Sequence, residues 1–165
     1  MTTLAHSQHI NVPATKVWEV VSDFGGVRHW HPMVETSPLL SDNNVGLGAS
    51  RTCNFYDGNS VKELVTEYVD GEYMVVDILE GSMPMARAQA KISVRPDGDS
   101  ACEVLMEMDY VVKYGIFGQL MDAMMMRRMM TGMLGKVLEG LEHHARTGEE
   151  IGKDFTAEAP RAAAA

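Results

Sequence analysis

The sequence predicts an α+β fold in which a seven-stranded antiparallel sheet curls against one long C-terminal helix, with two short helices after the first strand. Three observations predict it. Between Met33 and Tyr114 apolar and polar residues alternate in successive segments separated by turns such as Asp57-Gly58, Asp70-Gly71 and Asp97-Gly98. That is the pattern of strands with one wet and one buried face. From Met130 on, the apolar positions 130, 133, 134, 137, 138 and 141 form one helical stripe. Ahead of it, seven of the 14 methionines fall between Met121 and Met133, where the apolar surface widens beyond one face. Methionine is unbranched and polarizable and adapts to irregular space, so this stretch suits the wall of a cavity. A loosely specified core helix, or a face on which another subunit docks, would read the same way.

The elements follow in order. Residues Leu4 to Val12 read as a first strand ending at Pro13, which opens a helix where its missing N–H is tolerated. Val17, Val20, Val21 and Phe24 give that helix its buried face, with Trp18 alongside, and Gly25-Gly26 stops it. A second short helical piece, Val27 to His31, is closed by Pro32, which pushes His31 toward extended backbone. Six strands are then expected: Met33–Leu40, Arg51–Tyr56, Ser60–Val69, Tyr73–Leu79, Met85–Val94 and Cys102–Tyr114. On the fifth of these, Ala86, Ala88, Ala90, Ile92 and Val94 should face inward; on the sixth, Cys102, Val104, Met106, Met108, Tyr110 and Val112. The three small alanines either leave space on the inner face or let the helix approach closely.

With 165 residues the chain suits one domain, spanning residues 1–147, followed by a polar tail at 148–165 that lacks periodicity and is expected to be disordered. Fourteen basic against 23 acidic residues give a net charge of -9, which argues against nucleic acid or an anionic membrane as the main partner. The N-terminus shows no signal peptide, and no segment approaches the about 18 apolar residues of a membrane span. Cys53 and Cys102 form no CxxC pair, so two reduced thiols in a cytoplasmic protein are expected. His6, His9, His29, His31 and His143-His144 come without the accompanying ligands a metal site needs, and no metal or cofactor is expected. No phosphate loop, Gly-x-Ser-x-Gly or activated cysteine supports nucleophilic catalysis.

Three local patterns carry a family likeness. They are Val12-Pro13-Ala14-Thr15-Lys16-Val17-Trp18 through Phe24 with Arg28-His29-Trp30-His31-Pro32, then Val45-Gly46-Leu47-Gly48 with Asp57-Gly58 and Val61-Lys62-Glu63-Leu64, and last Asp109-Tyr110-Val111-Val112 entering the long helix. Over about Leu4 to Ala145 the chain resembles the START/Bet v 1-like (SRPBCC) superfamily, and within it the bacterial polyketide cyclase/dehydrase and lipid-transport group. The resemblance implies a helix-grip fold with an elongated apolar cavity between sheet and helix, but not an activity, because the superfamily spans carriers, receptors, cyclases and chaperone co-activators.

Within such a cavity a few polar groups set specificity. Alternation places Arg51, Cys53 and Phe55 inward, because Ser50, Thr52, Asn54 and Tyr56 form the polar face. For the next strand the pattern is indecisive; the resemblance implies an inward acid at Glu63, which brings Val61 and Val65 in with it. A buried carboxylate needs a partner, and Arg51 is the obvious one. His31, Glu63 and Tyr110 are the candidate acid/base residues, His31 by likeness entering the pocket. The expected lining adds Val76 and Ile78, Met83 and Met85 at the mouth, Ala88 and Ala90, Met106 and Met108, and from the helix Met125, Met129 and Met133. The expected partner is a small hydrophobic molecule such as a lipid, isoprenoid, quinone or aromatic polyketide. A polyketide cyclase or dehydratase is the alternative, a protein-interaction module the second, and a homodimer is compatible with either.

Overall fold

The computed structural model describes residues 1–81, 85–113, 115 and 125–157. Strand β1 (Thr2–Ile10) is followed by helix α1 (Ala14–Ser22) and a 3-10 helix (Phe24–His29), then β2 (Val34–Thr36), β3 (Ser50–Phe55), β4 (Ser60–Val69), β5 (Tyr73–Gly81), β6 (Met85–Pro96), β7 (Cys102–Val112) and helix α2 (Arg127–Thr147). The strands form one antiparallel sheet in the order β1-β7-β6-β5-β4-β3-β2, so the first strand closes against the last. The curved sheet grips α2, which is a helix-grip fold.

Alternation explains the sheet's two faces. Ala88, Ala90, Ile92 and Val94 of β6 stand opposite Tyr110, Met108, Met106 and Val104 of β7 in direct register, so inner residues meet inner residues across the ladder. Ala86 departs from the expected inward set and is exposed. The register skips between Met85 and Arg87, where two steps on β6 answer one on β7. Such a bulge leaves its extra residue outside the alternation.

The long strand expected over Met33–Leu40 is only three residues, Val34–Thr36, continued by a single bridge from Leu39 to Arg51. Pro38, which has no N–H to give a ladder, lies between them and accepts from Thr52 N at 3.0 Å instead.

Along α2 the buried stripe is Met130, Leu134, Val137, Leu138, Gly140, Leu141 and Ala145, with Met126 just ahead of it. Met125 and Met129, expected to face the sheet, are instead 65% and 64% exposed. The helix turns by about 100° per residue, so each backward step of four rotates the position by a further about 40°. Met133 sits half-buried at the edge of the stripe, and Met129 and Met125 pass beyond it into solvent.

The expected disordered tail is anchored at its start. Gly148 caps α2 in the left-handed conformation (φ 75°), a geometry that favours glycine. Ile151 is then 8% exposed and donates its backbone N–H to His29 O at 3.0 Å. Gly140 makes room for this: a Cβ there would collide with the Trp30 carbonyl oxygen and stand 2.6 Å from Ile151 Cδ1.

Candidate functional site

The site begins with two strand positions in direct register, Arg51 on β3 and Glu63 on β4. Both point to the inner face, their side chains 9% and 14% exposed. Arg51 Nε and Nη2 each lie 2.6 Å from Glu63 Oε2. Arg51 Nη1 donates to the Phe24 carbonyl, and the guanidinium carbon stands 3.8 Å from the Phe24 ring centroid. A planar cation stacked on an aromatic face and forked onto a carboxylate is held on every side. The Cys53 thiol adds a third contact to Glu63 Oε2 at 3.4 Å. These bonds all converge on Oε2, and among the described residues Oε1 accepts none.

His31 follows the 3-10 helix and lies near enough for both charges of the pair to act on its ring. Burial, the largest influence, pushes the imidazole down to about 4, with Arg51 acting in the same direction and Glu63 against it. His31 is therefore neutral at pH 7. Its Nδ1 accepts from Met33 N at 3.3 Å, which places the ring proton on Nε2. Burial also raises the Cys53 thiol to about 12, reinforced by Glu63, and Cys102 to about 11. Neither is a thiolate nucleophile at neutral pH.

Registers carry the site across the sheet. Glu63 faces Ile78 on β5, Ile78 faces Ala88 on β6, and Ala88 faces Tyr110 on β7. One row thus runs Arg51, Glu63, Ile78, Ala88, Tyr110. A pocket of about 290 Å³ opens over the middle of this row, at the end of the sheet where β4 to β7 converge. Val61, Ile78, Met85 and Ala88 line it, together with Leu79, Glu80, Gly81, Ala86, Arg87 and Lys113.

The polyketide cyclase / dehydrase and lipid transport family model matches residues 1–146. The chain belongs to this family. Members of the polyketide cyclase / dehydrase and lipid transport family handle hydrophobic ligands, as binding proteins or as cyclase-like proteins. Solved structures agree on the fold. The protein XoxI from Bacillus cereus is 17% identical with a TM-score of 0.72, over 89% of this chain and 97% of that one. Norcoclaurine synthase from Thalictrum flavum, solved in complex with dopamine and hydroxybenzaldehyde, is 18% identical with a TM-score of 0.68, over 90% of this chain and 88% of that one. A START superfamily protein from Mycobacterium smegmatis is 16% identical with a TM-score of 0.63, over 88% and 94%. A comparison with curated protein sequences finds no match.

Of the residues singled out from sequence, the structure brings Arg51, Glu63, Cys53 and His31 together and sets Val61, Ile78, Met85 and Ala88 around the pocket. Val76 and Met108 are buried in the packing beside it, and Phe55, Ala90, Met106 and Met133 are half-buried. Tyr110 does not join the charged pair. It is 1% exposed, packed with Leu4, Ala88 and Met108, three strands from Glu63 or about 14 Å along the sheet. Met125 and Met129 are turned away, and Met83, Met121, Met124 and Tyr114 lie outside the described residues. The stripe read from sequence rightly included Met130, but sequence reasoning missed Phe24 as the cover of Arg51, Met126 as a second inward methionine, and Arg87 and Lys113 on the rim. Continuing the 134–138 stripe back by fours finds Met130 and Met126; nothing in the sequence alone marks the other three.

Among the described residues no group of three or more His, Cys, Asp or Glu side chains converges on a metal position, and no helix is long and apolar enough to cross a membrane.

Proposed function

We propose that this protein binds a small, mainly apolar molecule against the inner sheet face, with a polar group of that molecule turned toward Glu63 and His31. The observation that supports this reading is the single row of opposed residues that leads from a desolvated ion pair, Arg51–Glu63, to the pocket-lining Ile78 and Ala88. Glu63 Oε1 is an acceptor, and the neutral His31 Nε2–H is a donor. Together they suit a hydroxyl or carbonyl, while Val61, Ile78, Met85 and Ala88 on the pocket's inner side suit an apolar body. The pocket volume of about 290 Å³ stands at the lower end of the about 300–1,000 Å³ that ligand sites occupy, so a single ring system or short chain fits better than a whole diacyl lipid.

The experiment is native mass spectrometry of freshly purified protein, followed by ligand titration of Glu63→Gln. A co-purifying apolar molecule whose affinity drops in Glu63→Gln supports the reading; a protein that carries nothing and binds no apolar probe overturns it. Glu63→Gln keeps the side chain's shape. Arg51→Met instead leaves the Glu63 carboxylate alone in a desolvated place and should cost about 3–5 kcal/mol of stability, measurable by urea unfolding.

His31 beside Glu63 also favours a second reading, a cyclase or dehydratase. At pH 7 the imidazole, held near 4, is unprotonated and can act only as a weak general base within the field of the Glu63 carboxylate, and holding a reactive chain in one geometry supplies much of such catalysis. Turnover of a polyketide-like substrate that disappears in His31→Gln, with ligand affinity retained, would select it over simple binding.

A further inference from the structure

The pocket at the end of the sheet is electrostatically lopsided. Its β5 side carries Glu80, and that carboxylate is already held by Lys62 Nζ at 2.7 Å. Its β6–β7 side carries Arg87 and Lys113, and among the described residues neither of them makes an ion pair. The β6–β7 register brings the two cations to the same rim, since Arg87 faces Val111 and Met85 faces Val112, the residue before Lys113. In a chain with net charge -9, acids are the plentiful partner, so two cations on one rim without an ion pair among the described residues are notable. Solvated lysines and arginines are ordinary elsewhere on a surface. Here they share a concave pocket with Ile78, Met85 and Ala88, and a charge at a concave rim acts through less water than one on an open face.

We infer that the ligand is an amphipathic anion, with its apolar body on Ile78, Met85 and Ala88 and a carboxylate or phosphate group at the rim between Arg87 and Lys113. This rests on the binding function proposed above and adds the ligand's outer end to it. The Glu63–His31 end of the row, one strand beyond Ile78, then meets a neutral hydroxyl or carbonyl, and the row's end and the pocket's rim select different chemistry on one molecule. Arginine can fork onto a carboxylate or phosphate, and lysine adds a point charge.

The test uses two fluorescent probes with the same apolar body, anilinonaphthalene sulfonate and the uncharged N-phenylnaphthylamine. Both are titrated against the whole protein, Arg87→Gln, Lys113→Gln and the double variant. The uncharged probe should lose clearly less affinity than the sulfonate in every variant, because glutamine keeps part of each side chain's stem in the lining and removes only the charge. The sulfonate probe should weaken about threefold in each single variant and about tenfold in the double. Its affinity for the unaltered protein should also fall as sodium chloride rises from about 50 to about 500 mM. Displacement by dodecanoate, dodecyl phosphate and dodecanol then separates the anion's source: either anion displacing better than the alcohol supports the inference, and the better of the two names carboxylate or phosphate. A double variant with an unchanged ratio between the probes, or dodecanol competing as well as both anions, overturns the anionic end while leaving the pocket in place. Failure of the unaltered protein to bind either probe overturns the pocket reading and this inference with it.

Discussion

Two packed regions meet along α2, and they are built from different material. The larger surrounds the C-terminal half of the helix, where Val137, Leu138 and Leu141 pack with Ile10, Val17, Phe24, Trp30 and Val104. Its side chains are mostly branched or aromatic, and Met74 is the one methionine among its described buried members, with Met106 and Met133 half-buried against its edge. The smaller surrounds the N-terminal end and holds Leu4, Ala88, Met108, Tyr110, Met126, Met130 and Leu134. Branched side chains have few rotamers and specify one packing, whereas methionine has three rotatable bonds and fits several. One region therefore fixes the scaffold, and the other can reshape. The pocket opens mainly on the second, through Met85 and Ala88, with Ile78 packed against both regions and Val61 belonging to the first. The charged pair sits toward the first, with Cys53 and Phe24 of that region in contact with Glu63 and Arg51. A fixed polar end and an adaptable apolar end are a sound division of labour for recognising one functional group on apolar bodies of differing shape.

The sharpest way to break this comparison is to cut an equivalent hole in each region. Leu141 is fully buried, and Leu141→Ala should cost about 4 kcal/mol because its branched neighbours cannot fill the gap. Met130, 2% exposed, should cost only about 2 kcal/mol as Met130→Ala, since neighbouring methionines can move into the space. Urea unfolding of both variants measures the difference. Equal losses would mean that the methionine region is as rigid as the other.

The next largest effect tests the closest approach in the rigid region. Gly140→Ala places a Cβ against the Trp30 carbonyl and Ile151, so α2 or the C-terminal segment must shift. A loss of about 3 kcal/mol is expected. Ile151→Ala in the same background should recover little, because the collision with backbone remains; full recovery would show that the side chain alone sets the contact.

These two regions were unequally legible in the sequence. Period-two alternation gave β3, β6 and β7, because each buries one face; residue type and the bounding turns gave the other strands, β2 at more than its true length, and the branched stripe from Leu134 onward gave the helix's inward side. Arg51 could be turned inward because its polar neighbours defined the other face. Glu63 could not, since both faces of β4 mix charge with apolar residues, and only the family likeness resolved it. The methionine segment hid its orientation because apolar residues occupy several faces there; the observed azimuth comes from the packed half of the helix, not from local composition. The bulge that exposes Ala86 depends on where two strands fall out of step, which neither strand encodes alone. Ile151 was missed because one apolar residue in a polar run makes no period, although Gly140 leaves the place it fills.

A smaller effect separates the polar end from its surroundings by pH. His31 titrates near 4 in the folded protein and near 6.5 when unfolded. Between those values the unfolded chain binds a proton that the folded one does not, so stability falls as pH drops from 6.5 toward 4 and is unaffected by this group above 6.5. The slope should be at most about 1.4 kcal/mol per pH unit, and less because part of the ring reaches solvent. His31→Gln should flatten the curve in that window relative to the unaltered protein. Parallel curves for the two would show that the imidazole is not held neutral by its burial.

The smallest expected effect draws the boundary of the adaptable region on the helix itself. Met129 and Met130 are adjacent in sequence, yet one is 64% and the other 2% exposed. Met129→Lys should change stability by less than about 0.5 kcal/mol, because the side chain already lies in water and lysine is as good a helix former. Met130→Lys should unfold the same end of the helix or bury a charge, at several times that cost. Ligand affinity divides in the same way: Met129→Lys should leave apolar-probe binding unchanged, since the side chain is turned away from the pocket wall. A clear loss of binding in Met129→Lys would place that face of α2 in contact with the ligand, move the adaptable wall around the helix by about 100°, and require the pocket to be larger than the space that opens over Ile78 and Ala88.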